Sequence, residues 1–154
     1  MKKQIFAKVF FYACFTLIIV STMGCAVKLV SDYDETTDAN VTSIQKSMDA
    51  YLLNLQSQKW PDCSYSSNKA TIDSIKVQID SASIRAKAIP KNSVTIQQLG
   101  TLSNMFNDLV NGQKHRDEKI SCIPGQIINL DKNTLDDAVS NILKFELAKK
   151  RGEK

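Results

Sequence analysis

His115 is the sole histidine of the chain, and a histidine is the first side chain to weigh as a general base near neutral pH. It stands in the charged run Lys114-His115-Arg116-Asp117-Glu118. With Asp117 and Glu118 it could touch a metal ion, but three closely spaced loop residues make a weak site. The plainer reading is a solvated surface residue. No HExxH, GxSxG, P-loop or dinucleotide fingerprint occurs. The Glu-x-x-His pairs of a di-iron bundle are missing, and so is the CxxCH of a c-type haem. Met48 and Met105 fall on or beside apolar stripes, where packing explains them better than haem ligation. The chain reads as non-enzymatic, with no catalytic residue, no metal site and no cofactor.

The cysteines carry more information. There are four, at positions 14, 25, 63 and 122. Lys2, Lys3 and Lys8 precede a charge-free run over 9–27. A basic start, an apolar stretch of about a dozen residues and small residues at its end are the parts of a secretory signal. That stretch is short for a membrane span, which needs about 20 apolar residues. The junction Ser21-Thr22-Met23-Gly24-Cys25 resembles the lipobox of bacterial lipoproteins. Gly24 fits, and Thr22 stands where leucine is usual. The resemblance implies that signal peptidase II removes residues 1–24, that the Cys25 thiol takes diacylglycerol, and that the new amine is acylated. One acyl chain binds a membrane only marginally, so stable anchoring takes more than one. An uncleaved transmembrane anchor is the alternative. Ala26 replaces the aspartate that retains such proteins in the inner membrane, which implies an outer-membrane location facing the periplasm.

Cys14 then leaves with the signal and Cys25 holds lipid. Cys63 and Cys122 remain, in an oxidising compartment where two leftover thiols usually pair. Their separation of 59 residues is far from a CxxC redox pair or a zinc knuckle. A disulfide is expected; two free or buried thiols are the alternative.

Charge excludes one class of partner. The chain has 20 Lys+Arg and 16 Asp+Glu. Three of the lysines precede Cys25, so residues 25–154 carry 17 against 16. A near-neutral chain has no electrostatic footprint for nucleic acid. The basic end, Ala148-Lys149-Lys150-Arg151-Gly152-Glu153-Lys154, fits a solvated helix C-terminus, where cations complement the dipole. Contact with anionic lipid is the other option.

The elements that must position these residues read as helices. Residues 25–33 form the lipidated cysteine and a tether. In 34–58, Val41, Ile44, Met48, Tyr51, Leu52 and Leu55 step by three and four, the spacing of one helix face. Pro61 stops that segment. Ile72, Ile75, Ile79, Ala82, Ala86 and Ile89 mark a second over 66–89, with Ser66 or Ser67 as its cap and Pro90 as its end. A third spans 93–111 on Ile96, Leu99, Leu102, Phe106, Leu109 and Val110, with Asn111-Gly112 as its stop. After a polar loop, Pro124-Gly125 opens the last segment, to about Arg151. Thr134 with Asp137 could cap a separate helix there. Ile128, Leu135 and Ile142 stay in register, which favours one long helix.

The fold class expected is all-α, an antiparallel up-down-up-down four-helix bundle over 34–151 after an N-terminal lipoprotein signal peptide, with a tail at 152–154. That topology places Cys63, between the first two helices, at the same end as Cys122, between the last two. The tether lies at the opposite end. Trp60 and Tyr65 flank the first cysteine. They either cover the bundle end or form an aromatic contact surface, since such residues anchor interfaces.

The lipobox, the stretch Lys28-Leu29-Val30-Ser31-Asp32-Tyr33-Asp34-Glu35-Thr36-Thr37-Asp38, the Cys63-Ser64-Tyr65 segment and the terminal Phe145-Glu146-Leu147-Ala148-Lys149-Lys150-Arg151-Gly152-Glu153 together resemble a set of small proteobacterial lipoproteins of unassigned function. The resemblance implies membrane attachment through Cys25 and adds no catalytic residue. The leading expectation is binding of another envelope protein. The rivals are an inhibitor or immunity-type protein of a periplasmic enzyme, and a small-molecule or lipid-binding bundle.

Overall fold

The computed structural model describes residues 29–152. The signal peptide 1–24, the lipidation site Cys25, tether residues 26–28 and tail residues 153–154 lie outside the described residues. Four helices follow in order: α1 Glu35–Ser57, α2 Tyr65–Ala88, α3 Ser93–Asp117 and α4 Gly125–Gly152. No strand occurs among the described residues. The fold is an all-α four-helix bundle.

Asp34 starts α1. Its carboxylate accepts from the Thr37 backbone N–H at 2.9 Å and from the Thr37 hydroxyl at 2.6 Å, which satisfies orphan donors of the first turn. Arg85, near the end of α2, donates two 2.7 Å bonds to the same carboxylate. Those bonds first, and the Thr37 bonds next, hold the Asp34 carboxyl well below the usual carboxylate range. Ser64, not Ser66 or Ser67, caps α2; its Oγ accepts from the Ser67 N–H at 3.2 Å. Asn68 holds the turn before the helix, donating to the Asp62 carbonyl at 2.7 Å.

The third helix runs past the expected stop at Asn111-Gly112. Gly112 keeps a helical conformation, with no positive φ. The chain turns instead at Ile120, whose φ is 52°. The Ser121 N–H reaches the Arg116 carbonyl at 3.1 Å, and the Ile120 N–H reaches the Asp117 carbonyl at 3.0 Å. This is the Schellman pattern, with isoleucine at the left-handed position that usually takes glycine. The polar run Lys114–Asp117 is therefore helical. Residues 125–152 form one helix, and the Thr134 hydroxyl donates back to the Leu130 carbonyl at 2.9 Å.

Each helix packs on two neighbours: α1 on α2 and α4, and α3 on α2 and α4. Paired contacts run in opposite order along three of these pairs. Asp34 meets Arg85 while Ser47 meets Gln78. Gln56 meets Asn129 while Asp49 meets Lys132. Thr95 meets Glu146 while Gln98 meets Asn141. Tyr65, at the start of α2, meets Asp117, at the end of α3. The expected stripes form the core: Ile44, Ile72, Leu99, Leu102 and Ile142 are fully buried. Tyr51 and Phe106 meet edge-on near its middle, with ring centroids 6.1 Å apart.

Candidate functional site

Two polar constellations close the ends of the apolar core. At the end where α2 begins, the Cys63 and Cys122 sulfurs are at bonding distance, 1.96 Å, with Cα atoms 5.6 Å apart. The bridge joins the α1–α2 connection to the α3–α4 connection. Gln113 lies beneath it, buried. Its amide donates to the Cys63 carbonyl at 2.8 Å, and its oxygen accepts from the Tyr51 hydroxyl at 2.6 Å. Burial pushes the Tyr51 phenol up from its ordinary value, so it stays a donor at any physiological pH. Tyr65 is half-buried against the core, with the Lys114 ammonium 4.6 Å above its ring. Its backbone N–H donates to the Asp117 carboxylate at 2.9 and 3.2 Å. Tyr65 thus covers the bundle end. Trp60 keeps 38% of its surface in solvent and is the aromatic left facing outward there.

The suggested His115-Asp117-Glu118 grouping is not assembled. Asp117 is committed to Tyr65, and exposed His115 pairs with exposed Glu118 at 3.2 Å. No group of three metal-ligating side chains occurs among the described residues. Met48 is buried in the core and Met105 packs against it.

The opposite end holds a buried ion pair. Glu146 is fully buried, and Lys149 is 7% exposed. The Lys149 ammonium donates to Glu146 Oε1 at 2.7 Å, to the Asn92 side-chain oxygen at 2.7 Å and to the Thr95 hydroxyl at 2.9 Å. Thr95 in turn donates to Glu146 Oε1 at 2.6 Å. Asn92 donates to the Ala86 carbonyl at 3.1 Å and accepts from the buried Ser31 hydroxyl at 2.9 Å. The Ser31 N–H donates to the Lys91 carbonyl at 3.0 Å. The end of the tether is therefore a docked strap over the ion pair, not a free linker. Beside it the Tyr33 hydroxyl donates to Asp38 at 2.8 Å, which helps push that phenol up to about 12.

This cluster corrects one expectation: Lys149 is not part of a solvated basic tail but belongs to a group of polar side chains gathered inside the bundle. The signal was the register: Ile128, Leu135 and Ile142 are spaced by seven, and the next step is Lys149, while seven beyond Val139 is Glu146. Chemically the cluster is saturated on the lysine side. An ammonium has three donors, and all three are used. Glu146 Oε2 is buried without a hydrogen-bond partner among the described residues.

No family model, no curated protein and no solved structure matches this chain. No helix among the described residues is long and apolar enough to cross a membrane.

Proposed function

We propose that this chain is a non-enzymatic lipoprotein of the bacterial envelope, held in the outer membrane by acyl chains on Cys25, whose helical domain binds another envelope protein. The observation that carries the reading is the apolar run ending at Gly24-Cys25. The docked strap supports it. Ser31 follows Cys25 by six residues, and six extended residues reach about 20 Å at most. A lipid at Cys25 would hold the strap end of the bundle close to the bilayer. Helix α2, of 24 residues, separates the two ends by about 36 Å, so Trp60 and the disulfide would face away from the membrane. An exposed tryptophan at that end suits a protein contact, because aromatic anchors dominate interface energetics. The fully used donors of Lys149 favour a structural role for the buried pair over a chemical one.

Intact-mass measurement of the membrane-extracted protein tests the anchor. A mass beginning at Cys25 with added acyl groups is expected; a mass that retains residues 1–24 rejects the anchor. Sucrose-gradient fractionation tests the location, and recovery mainly with inner-membrane markers rejects the sorting argument. A photo-crosslinker at position 60, compared in wild type and Cys25→Ala cells, tests the partner. Loss of a discrete crosslinked envelope protein in the unanchored variant is expected, and absence of any discrete product in wild type rejects the contact at Trp60.

A further inference from the structure

A cleft of about 430 Å³ opens between the second half of α3 and the first half of α4. Met105, Leu109, Ile123 and Leu135 give it an apolar floor. Its size and lining are those of a small-molecule site, an apolar cavity with a few polar groups. A larger hollow between α1 and α2, about 590 Å³, is lined by Ser47, Asn54, Thr71 and Ser74. The Ser47–Gln78 hydrogen bond joins the two helices beside it; Ala50, Tyr51, Ala70 and Ile75 also line it, and no charged group does.

Two features set the α3–α4 cleft apart. The first is Gly112, which lines it from within a helix. Glycine weakens a helix interior, and neither of its usual justifications applies here. Its φ is not positive, and a Cβ at this position would meet nothing within 4 Å. A larger side chain at 112 would instead occupy the cleft. The second is Asp131, half-buried on the cleft wall. Its neighbour Lys132 turns to the other side of α4, held by Asp49 at 2.8 Å and by Asp136. Burial alone pushes the Asp131 carboxyl up, with no cation acting against it. Asp108 adds a second carboxylate to the lining. His115 and Arg116 also line the cleft, but His115 pairs with Glu118 and neither forms an ion pair with Asp131.

We infer that this cleft binds a small cationic amphiphile, with the alkyl body on Met105, Leu109 and Leu135 and a protonated amine at Asp131. An acidic group on an apolar wall without a cation of its own is the complement of that ligand, because a charge-assisted hydrogen bond would satisfy a carboxylate that burial has stripped of water. The inference stands apart from the envelope-anchor reading, since it uses only the α3–α4 face.

The test uses the full chain in nanodiscs, methyl-labelled and titrated with hexylamine, hexanol and hexanoate. Saturable shifts of the Met105, Ile123 and Ile127 methyls are expected with hexylamine, and binding of hexanol and hexanoate at least about tenfold weaker. Asp131→Asn should weaken hexylamine by about tenfold or more and leave hexanol unchanged. Gly112→Leu should abolish the shifts while keeping the melting temperature, with Gly100→Leu, at another open helical glycine, leaving binding intact. Equal or tighter binding of hexanoate overturns the assignment of charge. Shifts that fail to saturate, or that persist unchanged in Asp131→Asn, overturn the site, and that variant decides the matter even if Gly112→Leu does not fold.

Discussion

Three acceptors surround the Lys149 ammonium and two donors converge on Glu146 Oε1. Removing either partner strands a charge where water cannot reach it. Lys149→Ala or Glu146→Ala should therefore destabilise the domain by about 3–5 kcal/mol in urea unfolding. Replacing both, Glu146→Leu with Lys149→Met, should cost far less than the sum, because no charge is left behind. Additive losses in the double variant would show that the pair is not the coupled unit described above. Asp34 acts differently. Its carboxyl is depressed in the folded state by Arg85 and Thr37, so the unfolded chain takes up the proton first as pH falls. The stability it supplies is complete above about pH 5 and is lost below about pH 4, as the medium approaches the folded-state value. Asp34→Asn should flatten the acid side of the stability–pH curve while lowering the plateau. An unchanged acid limb would remove the Arg85 contact from the account.

At the level of the helix, the apolar stripes were readable because steps of three and four admit little else. What the sequence hid lay at stripe ends. Gln113 falls seven beyond Phe106, Asn68 seven before Ile75 and Thr95 seven before Leu102. All three are buried and polar, so a pattern that counts only apolar residues stops one turn or more too early. Asn111-Gly112 added a false stop signal, and Ile120 hid the true one, since glycine is the expected mark of a Schellman turn. An isoleucine with φ 52° carries the steric cost of the left-handed region, about 1–2 kcal/mol. Its side chain is 71% exposed, so little packing is lost on removing it. Ile120→Gly should raise stability by about 1 kcal/mol despite the added freedom of the unfolded chain. A fall in melting temperature on that substitution would mean that the turn is not built this way. The ends of the core were thus legible in register but not in residue type.

For the molecule as a whole, the bridge between Cys63 and Cys122 and the strap at Ser31 close opposite ends. A bridge spanning 59 residues stabilises by about 4 kcal/mol on the chain-entropy model, close to the low end of a domain's net stability, about 5–15 kcal/mol. Reduction should lower the melting temperature markedly yet leave the far-ultraviolet helical signal intact below it, because the buried stripes remain. Full labelling of both thiols in denatured, unreduced protein would show that the bridge is not formed, and the link between the two connections would go with it.

The placement of that bridge also governs what happens when the backbone is cut. Any single nick between residues 63 and 122 leaves one cysteine on each piece. Lys91 and Lys119, both exposed and both outside the helices, lie within that window. A protease acting at either site would produce two polypeptides that still migrate as one until reductant is added, and the fragment bearing α4 would remain tied to the fragment bearing the strap. A molecule nicked within that window thus keeps its C-terminal helix tied to its strap until a reductant opens the bridge.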